Sequence, residues 1–440
     1  MYARAPPVFT ARNVGQLAGI TRALYRRRRT YIKLQHGALL VRRPPLFYQN
    51  TMAKIDPVEL TRALIRCPSV TPAEGGALEL LQSELEAIGF VCRRLPFEDE
   101  GAERVDNLYA RWGDAGPIFC YAGHTDVVPT GEVEEWTHPP FDAAVSDGFV
   151  WGRGAADMKG SIAAFAAAAE RAIAARPNGS IAMLITGDEE GPAVNGTRKM
   201  LGWLKANDQH IDHCLVGEPS SSESLGDMMK VGRRGSLNCW LTVFGAQGHV
   251  AYPHRANNPI PALLKKLLTL SETPLDEGYD RFQPSSLQVT DIHVGNPAHN
   301  VIPGRAAARF NIRFNPTWTG ESLEKWLRTR IDETACTAGV EYDLSCVCSG
   351  EAFLTTDESF ISLISDAITE HTGLSPDRST TGGTSDARFI KDAAPVAEFG
   401  LVGATIHKID ERAAVADINR LCDIYAKVLT RYFDRFGARA

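Results

Sequence analysis

Five side chains of metal-ligand type lie along this chain, each inside its own short motif. They are His124 in Gly-His-Thr-Asp (123–126), Asp157 in Gly-Arg-Gly-Ala-Ala-Asp (152–157), Glu190 in Gly-Asp-Glu-Glu-Gly (187–191), Glu218 in Gly-Glu-Pro (217–219), and His407 after Gly-Ala-Thr-Ile (403–406). Two imidazoles and three carboxylates suit a pair of divalent cations that share one carboxylate. Such a pair lowers the pKa of a water molecule, so the chemistry expected from these residues is hydrolysis.

The segments before these residues tell how they would be positioned. Residues 118–122 form a continuous apolar run, as a strand covered on both faces should. His124 then sits at the carboxyl end of that strand, where ligand sites gather in open α/β sheets. In extended chain, residues i and i+2 point the same way. Asp126 can then accept a hydrogen bond from the His124 ring nitrogen that does not bind metal. Asp157 follows a glycine-rich turn and precedes an alanine-rich helix, where a carboxylate could bridge two ions or cap the helix. Glu189 and Glu190 follow the apolar run 181–186, and Glu218 follows 213–216. One member of the Glu189–Glu190 pair can bind metal while the other, left free, serves as a general base. Taken singly, His124 and His407 also fit structural histidines and Glu218 a surface loop acid. Taken together, four strand-like segments each delivering a donor at the carboxyl end favour a metal centre.

The 440 residues suggest two or three domains. Buried strands alternating with helices predict an α/β catalytic domain, with a mixed, mainly parallel sheet flanked by helices. A first helix follows Asp56-Pro57, a second covers about 76–88, another 160–175, and the last 417–436. The texture changes near 232: residues 236–244 alternate apolar and polar, and amphipathic helices are predicted over 259–270 and 320–335. The expected organisation is a discontinuous metal domain, 53–232 and 349–437, interrupted by an α+β insert, 233–348, with two helices on an antiparallel sheet. Residues 1–51 carry ten Lys or Arg and no Asp or Glu, against a net charge of −6 for the whole chain. That composition also fits an organelle-targeting peptide or a nucleic-acid arm. The expectation adopted is a disordered extension ahead of a start at Met52, with no nucleic-acid or membrane partner. Nine scattered cysteines without a Cys-x-x-Cys pair suggest a reduced, cytoplasmic setting.

With these motifs in hand, the chain resembles the aminoacylase/carboxypeptidase family of di-zinc amidohydrolases over about residues 54–437. The resemblance is carried by Gly123-His-Thr-Asp-Val-Val-Pro, Gly152-Arg-Gly-Ala-Ala-Asp-Met-Lys-Gly, Asp188-Glu-Glu-Gly and Gly217-Glu-Pro-Ser-Ser. Narrower similarity lies in Val231-Gly-Arg-Arg-Gly-Ser, Gly248-His-Val-Ala-Tyr-Pro-His, Asn300-Val-Ile-Pro-Gly, Cys348-Ser-Gly-Glu-Ala-Phe-Leu-Thr, Thr380-Thr-Gly-Gly-Thr-Ser-Asp and Ala404-Thr-Ile-His-Lys.

The resemblance implies that His124 and Glu218 hold one ion, Glu190 and His407 the other, and Asp157 bridges them. The ions would be zinc, with cobalt as an alternative. Glu189 would be the general base, and Asp126 would orient His124. His249, in the insert, would cross to a second subunit and stabilise the oxyanion, making the protein a homodimer through its insert. The amide substrate would be anionic at both ends. Arg233 is the first choice to grip a carboxylate, ahead of Arg234 and Arg313, because guanidinium pairs with carboxylate bidentately. Asn300, Thr384, Ser385 and Tyr252 would add neutral contacts. The metal motifs alone leave open other N-acyl amino acid deacylases and dipeptidases. One departure from the family pattern is Ala387, where a glycine is usual and a methyl could crowd the substrate loop.

Overall fold

A computed structural model describes residues 55–334 and 340–437 of the chain. The basic segment 1–51, and the expectation attached to it, lie outside these residues. An eight-stranded sheet runs in the order Val91–Arg94, Leu108–Trp112, Ser180–Thr186, Ile118–His124, His213–Val216, Val396–Glu398, Met228–Lys230, Asp377–Ser379. Its centre is parallel: Ile118–His124 pairs in parallel with both neighbours, and His213–Val216 pairs in parallel with Val396–Glu398. The strands Val91–Arg94 and Leu108–Trp112 add antiparallel at one edge.

The period of two along the His124 strand feeds two apolar layers. Phe119 and Tyr121 enter the layer under helices Pro57–Ile65, Gly160–Ala174, Glu358–Thr372 and Val415–Phe436. Ile118, Cys120 and Ala122 enter the opposite layer, with Met200, Leu204 and Ile390 from helices Thr197–Ala206 and Ala387–Ile390. Burial on both faces explains why these strands read as unbroken apolar runs. The alanines of Gly160–Ala174 let that helix lie deep, with Phe165 stacked 4.2 Å from Tyr121 between ring centroids.

The second unit of architecture is an antiparallel sheet, in the order Ser286–His293, Arg305–Phe314, Gly235–Phe244, Glu341–Gly350. Helices Pro259–Glu272 and Gly320–Glu333 cover one of its faces. Leu237, Cys239, Leu241 and Val243 alternate inward and meet Leu263, Leu267, Leu323 and Leu327 in a core of their own. Both helices start on sequence signals: Asn258 caps the Ile260 N–H ahead of Pro259, and Thr319 with Ser322 forms a capping box.

Two features differ from the sequence expectations. Residues 403–407 form turns instead of a strand, so His407 is not delivered by a strand end. Short polar-flanked strands, such as Met228–Lys230 and Asp377–Ser379, carry too few residues to show a period and went unread. Among the described residues, no helix is long and apolar enough to cross a membrane.

Candidate active site

The carboxyl ends of the central strands converge on one cluster. His124 ends its strand and is 1% exposed. Gly123 before it has no room for a side chain, since a Cβ would lie 2.6 Å from Met158 Cε. That close approach brings the turn carrying Asp157 onto the strand end. Asp157 lies in this turn and does not cap the following helix, whose N-terminal residue Lys159 makes no side-chain cap.

Asp157 faces two imidazoles. His124 Nε2 is 3.2 Å from Asp157 Oδ1, and His407 Nε2 is 3.2 Å from Asp157 Oδ2. His407 Nε2 is also 2.9 Å from Glu190 Oε1, and His124 Nε2 is 3.8 Å from Glu218 Oε1. Donor atoms of His124, Asp157 and Glu218 lie within 4.8 Å of one another, as do those of Asp157, Glu190 and His407. The same holds for His124, Glu189 and Glu190. Two triads therefore share Asp157, with Glu189 beside them.

The electrostatics are those of a site built around cations. Burial pushes Asp157 up, but the hydrogen bonds to His124 and His407 outweigh it and hold the carboxyl well below its ordinary value. Burial, followed by the charge of Asp157, pushes Glu218 up to about 8. Burial and the charge of Glu218 hold Glu189 well above the usual carboxyl range. Hydrogen bonds to Asp157 and Glu190 raise His407 to about 10. Gathering this many acids away from water is costly unless positive charge joins them. The buried carboxylates and imidazoles fit a pair of divalent metal ions, with Asp157 as the shared ligand.

Asp126 acts differently from the sequence expectation. The Asp126 backbone carbonyl makes the hydrogen bond to His124 Nδ1, at 2.9 Å, while the Asp126 carboxylate Oδ1 lies 3.7 Å from the same nitrogen. The Asp126 carboxylate accepts the backbone N–H groups of Glu189 (3.3 Å) and Glu190 (2.9 Å). Asp188 supports the same loop by accepting from Ala193 and Asn195. The extended-chain rule does not carry past His124 because the strand ends there.

Arg233 also departs from its expected role. Its Nε donates to Glu398 Oε1 at 2.8 Å, its Nη2 to Glu398 Oε2, and its Nη1 to the carbonyls of Thr381 and Gly383. Ser385 donates to the same Glu398 at 2.6 Å. Arg233 and Ser385 are thus committed to a buried carboxylate instead of standing free for substrate. Glu398 was missed in the sequence, although an acid closing the run Val-Ala-Glu (396–398) is the signal that had marked Glu218. Arg313 is different: its Nη1 is buried with no hydrogen-bond partner, as is Arg234 Nε. Burial, and then the neighbouring charge of Arg234, lower the Arg313 pKa. Thr384 lies partly exposed in the loop after Gly383. The Ala387 methyl is fully buried in the apolar layer with Ile390 and Met200.

His249, Tyr252 and Asn300 do not join the cluster. His249 pairs with Val301, the His249 and Tyr252 rings are 5.7 Å apart, and Val250 N–H donates to Asn300 O. All three belong to the insert, where His249 is exposed.

This architecture and donor set define a metal-dependent hydrolase, and the chain belongs to peptidase family M20/M25/M40, which it matches over residues 120–431. It is 58% identical over 380 residues to a succinyl-diaminopimelate desuccinylase of Rhodospirillum centenum, covering 86% of this chain and 97% of the relative. A succinyl-diaminopimelate desuccinylase of Parvibaculum lavamentivorans is 57% identical over 378 residues, covering 86% and 96%. Among solved structures, the aminopeptidase PepT from Bacillus cereus superposes with a TM-score of 0.69 at 17% identity, over 85% of this chain and 97% of that one. At that identity the likeness speaks for the fold.

Proposed function

We propose that this chain hydrolyses the amide of N-succinyl-LL-2,6-diaminopimelate to succinate and LL-diaminopimelate, a step of lysine and diaminopimelate biosynthesis, in the cytoplasm. The observation that carries the chemistry is Asp157 shared between two donor triads with Glu189 beside them. His124 and Glu218 would hold one ion, Glu190 and His407 the other. Zinc suits these ligands, and cobalt substitutes readily at such sites. Divalent ions bound there would acidify a water and polarise the amide carbonyl.

Glu189 takes the proton from the attacking water. The water oxygen adds to the carbonyl carbon, the C–N bond breaks, and Glu189 returns the proton to the leaving amine. A carboxyl held above its ordinary range suits both halves of that task. The grip of the Asp126 carboxylate on the backbone N–H groups of Glu189 and Glu190 supports a fixed orientation of the two acids.

The substrate has carboxylates at both ends, and the buried Arg234 Nε and Arg313 Nη1, each without a hydrogen-bond partner, support that reading. So does the name of the relatives described above. Thr384, Asn300 and Tyr252, with His249 from a second subunit, would complete the pocket. The insert supports a dimer: Leu264 and Leu268, one helical turn apart, are 50% and 57% exposed, and Ile292 on the edge strand is 49% exposed. A succinate-release assay on succinyl-diaminopimelate, run against acetate release from acetylornithine, tests the substrate. The expected kcat/KM ratio favours the succinyl substrate by at least roughly 100-fold. Equal rates, or the reverse order, would move the chain to another deacylase activity.

A further inference from the structure

A buried ion pair that contacts no metal donor atom ties together three loops of the site. Arg153 and Glu411 are 2% and 0% exposed. Arg153 Nη1 donates to Glu411 Oε2 at 2.7 Å and to the Lys408 carbonyl at 3.1 Å. Its Nη2 donates to the Pro129 carbonyl at 3.2 Å. Glu411 Oε1 accepts the backbone N–H groups of Ala156 (3.0 Å) and Asp157 (3.1 Å). One pair of side chains thus touches the loop after His124 and Asp126, the backbone of Asp157, and the residue after His407.

The His407 turn needs such an anchor. His407 and Asp410 both have left-handed backbone, φ 60° and 62°, which side-chain-bearing residues disfavour. No strand carries this turn, and His407 is half exposed. Among the described residues, its other tie to the 129–140 segment is Asp410, whose carboxylate accepts from Thr137 N–H and Oγ, both at 2.8 Å. By contrast, His124 stands on a central strand and Glu218 lies two residues past the end of one.

We infer that Arg153 and Glu411 are positioning residues that set the His407–Asp157 spacing, and so govern affinity for the ion held by Glu190 and His407 more than for the ion held by His124 and Glu218. The inference rests on the two-metal reading. Outer hydrogen-bond partners of this kind typically change metal affinity by roughly 10–100-fold.

The test is stepwise titration of metal-free protein with Co²⁺, followed by its visible absorption and by calorimetry, for wild type and Glu411→Gln. Gln keeps an acceptor for the two N–H groups but removes the charge facing Arg153. Wild type should take two ions; a single ion would overturn the two-metal reading itself. In Glu411→Gln the first ion should bind as in wild type and the second more weakly by roughly 10–100-fold. With cobalt saturating, KM should be unchanged and kcat lowered. Two ions bound as tightly as in wild type, with only the melting temperature reduced, would make the pair merely structural. Equal weakening of both ions would overturn the selectivity for the His407 site. If Glu411→Gln does not fold, Arg153→Lys, which keeps the charge and loses the fork to Lys408 and Pro129, is read by the same criteria.

Discussion

At the scale of single residues, the proposed mechanism separates two adjacent acids. Glu190 meets His407 at 2.9 Å, whereas Glu189 is held above the ordinary carboxyl range by burial and by Glu218. Glu189→Gln should therefore leave two ions bound and lower kcat by roughly 10²–10⁴-fold. Metal analysis beside a turnover assay checks it, and retained turnover would remove Glu189 from its role. The donor types and their order were legible in the sequence, because each stands in a short motif after a glycine or a strand. The partners of Arg233 and Asp126 were not. Whether an arginine faces substrate or a buried Glu398, 165 positions away, is decided by tertiary contacts that leave no local pattern. The same holds for Arg153, inside the motif that ends at Asp157, and Glu411, four residues after His407, which meet only in the fold.

Among elements, the central strands do most of the positioning, and their far ends are fastened too. His213 opens its strand at the end opposite Glu218. Its Nε2 meets Asp357 Oδ2 at 3.0 Å and its Nδ1 meets the Tyr432 hydroxyl at 3.1 Å. These two contacts join the strand to helices Glu358–Thr372 and Val415–Phe436. Burial pushes Asp357 up, but the hydrogen bonds from His213 and from the Phe360 N–H outweigh it, so its pKa is lowered from 3.8. A carboxyl depressed in the folded state adds stability above its unfolded value, and loses it as pH falls through the folded value. The melting temperature should thus fall more steeply in wild type than in Asp357→Asn below about pH 4. Parallel slopes would mean the link carries no pH-dependent stability. Long strands and capped helices were readable here because period and caps are local. The turn 403–407 read as a strand because Ala-Thr-Ile is apolar and β-branched, while backbone handedness at His407 is set by its anchors.

For the whole molecule, the proposed dimer makes the insert part of the chemistry. Leu264→Asp combined with Leu268→Lys should give a monomer by light scattering, with both ions retained. Turnover should drop by roughly 10²–10³-fold, as for loss of an oxyanion donor. A monomer with full activity would sink the role given to His249. The insert also enters and leaves the molecule at one point. Its first and last strands are neighbours, with Ser236 opposite Gly350. Residues opposed in an antiparallel pair have Cα atoms about 5 Å apart, so the break in the metal-bearing part of the chain is narrow. A linker of two or three residues could close it. A chain in which such a linker replaces the insert should therefore keep the strand ends that carry His124 and Glu218, and lose only the groups that His249, Tyr252 and Asn300 would bring.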